Sequence, residues 1–262
     1  MSQSMLFPVY SLLKDSLRTQ VYADRRQLGQ AACRDFVVKL KPLQAAGRGA
    51  RIVFAAAPSQ DEFLEALAAE PGIDWSLVTA FHMDEYIGLP ARASQRFAHY
   101  LNERLFDKVK PGRVHLMKPD DDAEKEALRY EGLLREAPID IVCLGIGENG
   151  HLAFNDPPVA DFDDPRWVKP VELDADCRAQ QVNDGCFDAL ERVPTHALTM
   201  TIPALMSAMH LVCIVPGLRK REAVMRTIHG TVEEACPATA MRRHPSCTLY
   251  ADTDSFGYKQ SV

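Results

Sequence analysis

Two short segments of the chain combine side chains that move protons with backbone that can approach a ligand closely. The first, Gly145-Ile146-Gly147-Glu148-Asn149-Gly150-His151-Leu152-Ala153-Phe154-Asn155-Asp156-Pro157, follows a hydrophobic run and sets three glycines ahead of a histidine. Glycine permits tight turns and close approach, and the imidazole changes charge near neutral pH. The second, Phe81-His82-Met83-Asp84-Glu85-Tyr86-Ile87-Gly88-Leu89-Pro90, places adjacent acids at the end of another apolar run. A carboxylate in a partly enclosed crevice has its pKa raised and becomes a competent general base, so Asp84 suits the abstraction of a carbon-bound proton. Taken singly, each segment also has a plainer reading: a strand-to-loop exit with a solvated histidine, and a turn or helix cap with two solvated acids.

The elements that must position these segments alternate between strand and helix. Leu28, Ala31, Ala32, Phe36, Val37 and Leu40 recur at helical spacing between Asp24 and Leu40, and Pro42 with Gly47 is expected to end that helix. Arg51 to Ala56 predicts a strand, and Ser59 with Glu62 forms a Ser-x-x-Glu capping box opening a helix through Ala69. The alternation continues with strands at Val78 to Met83, Val114 to Met117, Ile139 to Leu144, Leu211 to Val215 and Thr248 to Ala251. Helices are expected from Ser94 to Lys108, Asp121 to Arg135 and Leu218 to Ile228. Such a series implies one α/β domain over residues 1–262, a doubly wound, mostly parallel, Rossmann-like sheet with helices on both faces. Ligands of such sheets bind outside the carboxyl ends of the strands, where both segments fall.

Bulk properties exclude several classes. With 262 residues, 47% hydrophobic and 25% charged, the chain can bury a substantial core. Its formal charge of −6 and scattered basic residues argue against nucleic-acid binding. The seven cysteines are odd in number and lack any C-x-x-C pair, which fits a reducing cytoplasm and not a disulfide framework or zinc site. The apolar stretch from Ala197 to Val215 is broken by Pro203 and His210, so neither export nor membrane insertion is suggested. His82 and His99 read as packing or surface histidines, Met200, Met206 and Met209 as core filler, and Cys143 as a small buried hydrophobe.

Together the two segments carry more than either alone. Phe-x-Met-Asp-Glu-Tyr-x-Gly-Leu, followed some sixty residues later by Leu-Gly-Ile-Gly-x-Asn-Gly-His-x-Ala-Phe-Asn-Asp-Pro, resembles the glucosamine-6-phosphate deaminase (isomerase) family in content, order and spacing. The resemblance continues through Asp176-Cys177-Arg178, Val193-Pro194-Thr195-His196-Ala197-Leu198-Thr199, Pro216-Gly217-Leu218-Arg219-Lys220 and Cys236-Pro237-Ala238, and covers most of the chain from Arg51 to Ala251. It implies a cofactor-free, metal-independent conversion of glucosamine 6-phosphate to fructose 6-phosphate and ammonia. On the family pattern His151 moves the proton that opens the sugar ring, its state governed by Asn149 and Asp156. Asp84 takes the C2 proton and returns it at C1, and Glu85 tunes its surroundings. Amides around Gly145 and Gly147 hold sugar oxygens, and Ser59, Arg178 and Lys220 match phosphate-binding positions, where Arg offers a planar fork and Lys a point charge. Relatives commonly form homo-oligomers.

Three features depart from the pattern. Asn149 stands where many members carry aspartate. Ala57-Pro58-Ser59-Gln60-Asp61-Glu62 replaces the glycine-rich phosphate turn, so Pro58 offers no amide hydrogen and two acids open the following helix. Ser59 therefore has two readings, a phosphate ligand or a helix cap. Pro158-Val159-Ala160-Asp161-Phe162 lacks the serine pair of allosterically regulated members. Two other functions stay open on the sequence: a 6-phosphogluconolactonase-like hydrolase or other sugar-phosphate isomerase, and a non-catalytic sugar-phosphate sensor. Asp161 to Asp188 is a candidate lid whose mobility the sequence leaves undetermined.

Overall fold

The computed structural model describes residues 6–119 and 121–258. Its strands are β1 (Tyr10–Lys14), β2 (Leu17–Tyr22), β3 (Ala50–Phe54), β4 (Val78–His82), β5 (Asp84–Tyr86), β6 (Arg113–His115), β7 (Ile141–Leu144), β8 (Val168–Glu172), β9 (His196–Met200), β10 (His210–Val215) and β11 (Cys247–Asp252). Eight form one sheet in the order β1-β2-β11-β10-β7-β3-β4-β6, parallel except for the β1–β2 hairpin. The other three form a small antiparallel sheet, β5-β9-β8.

The central strands are apolar on both faces because helices cover both. In β7, Ile141 and Cys143 belong to one core, which also holds Leu28, Phe36 and Leu64 of the helices Arg25–Ala45 and Asp61–Ala69. Val142 and Leu144 belong to the opposite core, with Ala127 and Tyr130 of the helix Ala123–Arg135 and Val224 of the helix Arg221–His229. This is the doubly wound arrangement expected from the alternating runs. The chain order reverses between β7 and β3: β4 and β6 extend the sheet one way, β10 and β11 the other. Ligand sites form at such a switch point. Among the described residues no helix is long and apolar enough to cross a membrane.

Local expectations fail in instructive places. Asp24 caps the first helix, accepting from the Gln27 amide at 2.8 Å, but Pro42 does not end it. The helix continues to Ala45 because Pro42 sits in its last turn, and the bond omitted there falls to the carbonyl of the exposed residue Val38. No Ser59–Glu62 capping box forms. A 3₁₀ turn, Pro58–Gln60, precedes the helix Asp61–Ala69, and Glu62 instead takes a 2.9 Å hydrogen bond from Arg25, which also donates to the Pro58 carbonyl at 2.7 Å. The helix expected from Ser94 starts at Phe97, runs through a π-helical turn over Asn102–Phe106 and ends at Val109. The strand expected to continue to Met83 stops at His82, and Asp84 opens β5 of the second sheet. Met209 is half exposed, unlike the fully buried Met200. His82 packs as expected, its Nε2 accepting from the Met117 amide at 2.7 Å, and Cys143 is a buried hydrophobe.

Candidate active site

One cleft, with about 580 Å³ of space open to solvent, lies outside the carboxyl ends of β3, β4, β7 and β10, where ligands of such sheets bind. Its walls include Ser59, Gln60, Asp84, Gly145, Gly147, His151, Ala153 and Lys220. Of the ten site residues expected from the sequence, Ser59, Asp84, Gly145, Gly147, His151 and Lys220 meet here.

The small sheet joins the Asp84 segment to the His151 loop. β5 and β9 pair Asp84 with Thr199, and the Thr199 hydroxyl accepts from the Phe154 amide at 3.0 Å. Asn155 donates to the carbonyls of Leu152 and Met200 at 2.7 and 2.8 Å, stapling the histidine loop to the same strand. Ala153, on the cleft wall, is held at φ +50°, a left-handed conformation unusual for a residue with a Cβ. A strand that carries no signal in the sequence thus ties the segments of Asp84 and His151 to one support on the same cleft.

The imidazole sits on bare backbone. A Cβ on Gly147 would lie 2.2 Å from the His151 ring, so only glycine fits beneath it. The Gly147 amide donates to the His151 carbonyl at 2.9 Å and is therefore not free for a sugar oxygen. Gly145 is less tightly constrained, since a Cβ there would lie 3.1 Å from Gln60 Nε2, the movable end of a side chain. His151 Nδ1 lies 2.8 Å from Asn149 Oδ1 and 2.9 Å from Asp156 Oδ1. Both neighbours are acceptors, so Nδ1 carries the hydrogen and Nε2 is the nitrogen left for proton transfer. Asn149 Nδ2 donates to Asp156 Oδ1 at 2.9 Å, and Asn149 Oδ1 also accepts the His151 amide at 2.9 Å. Burial would raise the Asp156 pKa, but bonds from His151 and Asn149, the charge of His151 and the Cys177 thiol outweigh it and keep the carboxylate below its usual range. Asn149 and Asp156 lie behind the imidazole, outside the cleft lining, and orient it. An amide at position 149 orients the ring by hydrogen bonds where an aspartate would add charge.

The adjacent acids have opposite surroundings. The Asp84 carboxyl takes no hydrogen bond from another described residue, and burial, then repulsion from Glu85, raises its pKa well above the usual range. Glu85 does not line the cleft: it accepts from the amides of Tyr86, Phe97 and Ala98 at 2.9, 3.2 and 3.0 Å, capping the helix that starts at Phe97. Burial still pushes Glu85 up to about 7.

The other end of the cleft is sparsely charged. Lys220, in a 3₁₀ turn after β10, is 7% exposed and makes no ion pair with another described residue. Burial lowers its pKa, against the opposing pull of Asp184 and Glu148. The turn is anchored where the Gly217 amide donates to both Asp252 oxygens at 3.0 and 3.1 Å. Ser59 lies on the cleft wall in the Pro58–Gln60 turn, and the two acids that follow it are engaged elsewhere, Asp61 by the Tyr100 hydroxyl and Arg104, and Glu62 by Arg25. Arg178 does not reach the cleft. Its guanidinium donates to the carbonyls of Leu190 and Val193 at 2.8 and 3.0 Å. The candidate lid instead contributes Gln180, Gln181, Asp184 and Cys186 to the wall, none of which the sequence reading singled out. The i, i+3, i+4 spacing of Cys177, Gln180 and Gln181 was the available signal.

Comparison with known proteins agrees with this geometry. The family model for glucosamine-6-phosphate isomerases/6-phosphogluconolactonase matches residues 23–250. Curated glucosamine-6-phosphate deaminases of Bacillus thuringiensis (strain Al Hakam) and Bacillus cereus (strain AH820) are each 39% identical over 184 residues, 70% of this chain and 68% of theirs. A solved monomeric glucosamine-6-phosphate deaminase superposes with a TM-score of 0.84 at 28% identity, covering 92% of this chain and 99% of that one. The 6-phosphogluconolactonase of Thermotoga maritima shares the fold, with a TM-score of 0.74 at 20% identity over 90% of this chain and 99% of its own. With the cleft, the paired segments and these matches in agreement, the chain belongs to the glucosamine-6-phosphate isomerase/6-phosphogluconolactonase family, on its glucosamine-6-phosphate deaminase side.

Proposed function

We propose that the protein converts glucosamine 6-phosphate and water into fructose 6-phosphate and ammonia. The observation that carries this reading is a secluded carboxyl, Asp84, with no competing hydrogen bond, facing the same cleft as a histidine whose Nδ1 is already committed.

In this mechanism His151 Nε2 moves the anomeric hydroxyl proton to the ring oxygen, opening the ring to the aldehyde. Asp84 takes the C2 proton, the released electron pair forms the C1–C2 double bond, and the C1 carbonyl π pair moves onto O1, which takes a proton from water to give an enolamine. Return of that proton to C1 draws the nitrogen lone pair into an iminium at C2. Water adds there to give a carbinolamine, which expels ammonia and leaves the C2 ketone. Burial suits Asp84 to this task, because a carboxylate with a raised pKa is the stronger base. Lys220 and the Ser59 hydroxyl hold the phosphate at the far end, the lysine supplying the charge.

Lactone hydrolysis abstracts no carbon-bound proton, so an isolated Asp84 has no task in that reaction, and a sensor needs no proton-transfer pair. The test is to incubate purified protein with glucosamine 6-phosphate and, separately, with 6-phosphogluconolactone. Equimolar ammonia and fructose 6-phosphate from the first, with no acceleration of the second, is the expected outcome. Lactone hydrolysis without ammonia release would overturn the reading.

A further inference from the structure

The helix Ala175–Asn183 touches every segment of the reaction centre through one face. Cys177, Gln180 and Gln181 stand at i, i+3 and i+4, one stripe of a helix. Gln180 Oε1 accepts the Glu148 amide at 2.7 Å, gripping the glycine loop. Gln181 Oε1 accepts the Tyr86 hydroxyl at 2.7 Å, gripping the strand that begins with Asp84. Cys177, fully buried, lies beneath the histidine: the polar atoms of His151, Asp156 and Cys177 all fall within 4.8 Å of one another.

Asp156 shows why the thiol matters. Its Oδ1 serves both His151 and Asn149, whereas its Oδ2 is buried and takes no hydrogen bond of ordinary geometry. The thiol is the weak donor beside this carboxyl: it helps keep Asp156 ionised, while burial and the Asp156 charge keep Cys177 itself protonated. The three atoms do not have the spacing of a tetrahedral metal's ligands, because 2.9 Å between Nδ1 and Oδ1 is a hydrogen-bond distance. Nitrogen and oxygen ligands on a tetrahedral zinc ion stand about 3.3 Å apart.

Building on the deaminase reading, we propose that Cys177 is a positioning residue for His151, acting through Asp156, and that its helix locks the histidine loop and the Asp84 strand in register through Gln180 and Gln181. The consequence is that proton transfer depends on a helix that contributes none of the reacting atoms.

The test compares Cys177→Ala with Cys177→Ser. If the thiol only fills space, alanine is tolerated at least as well as serine, whose hydroxyl is costly to bury without a partner. If it donates to Asp156, serine restores what alanine removes. The expected result is about a tenfold fall in kcat for Cys177→Ala with KM within about twofold, and recovery of most of the loss in Cys177→Ser. A second readout needs no turnover: the ring ¹⁵N chemical shifts of His151, recorded without substrate, are expected to change in Cys177→Ala and return in Cys177→Ser. A wild type with no deaminase activity would defeat the function proposed above and leave this readout intact. Wild-type kcat and ring shifts in Cys177→Ala, or a folded Cys177→Ser no better than alanine in both, would overturn the proposal.

Discussion

The two ends of the cleft are built to different standards. At the reaction end His151 is held by Asn149, Asp156 and the backbone of Gly147, and β9 staples its loop to the strand that carries Asp84. At the anion end a single lysine stands near Ser59, with Asp184 in the same wall and Arg178 turned away onto backbone carbonyls. Proton transfer fails when a base moves by an ångström, whereas an anion tolerates a looser grip from a flexible point charge. On the proposed reaction, the contrast teaches that the proton-transfer groups are rigidly held and the phosphate grip is not, so substitutions at the two ends should separate into kcat and KM.

The strongest way to break the comparison is Asp84→Asn, which keeps the shape and removes the base; kcat is expected to fall about 10³-fold or more, with KM little changed, in steady-state assays. In the wild type, Asp84 must be ionised to act and burial raises its pKa, so kcat/KM is expected to fall with decreasing pH at values above the usual carboxylate range. His151→Gln should cost about 10²-fold in kcat, a loss that a pre-opened substrate analogue partly recovers.

Glu85 sharpens the contrast between neighbours. Its folded-state pKa is raised to about 7 from 4.5, so the folded protein favours the protonated form. Stability from this group is complete below pH 4.5 and is lost as pH rises through about 7, by up to about 3 kcal/mol. Denaturant titrations of Glu85→Gln should show a flatter pH dependence across that window; an unchanged slope would remove Glu85 as its source. At the anion end, Lys220→Ala is expected to raise KM about tenfold, the cost of one charged hydrogen bond, with kcat within about threefold. Arg178→Ala should do least: KM within about twofold and a fall in Tm of about 2–4 °C from two lost bonds to backbone carbonyls. A tenfold rise in KM for Arg178→Ala would show that this arginine reaches the phosphate and that the anion end is better built than its geometry indicates.

Most of the sheet was legible because its central strands are short, continuous apolar runs, and their burial on both faces is what such runs encode. The β1–β2 hairpin was not: β1 is largely exposed and carries no buried pattern. The small sheet escaped because β5 spans three residues directly after β4, too short for any periodicity. The capping box misled because Glu62 has a better partner in Arg25, 37 residues away in the chain. For the same reason site residues were legible as types and not as orientations. Asp84 and Glu85 differ only in which side of β5 they face, and Arg178 occupies the expected position while pointing elsewhere. The spacing of Cys177, Gln180 and Gln181 marks one helix face, but what that face holds is set only when the helix docks against the loop.

The most direct test of the account is to run the wild type and Asp84→Asn on glucosamine 6-phosphate in D₂O and follow C1 and C2 by NMR. If Asp84 moves the proton, exchange of the proton held on Asp84 with solvent competes with its return, so part of the wild-type product carries deuterium at C1 and the rest the hydrogen from C2, and the variant exchanges neither position at a measurable rate. Deuterium entering at the wild-type rate in the folded variant would contradict the assignment of Asp84 as the base.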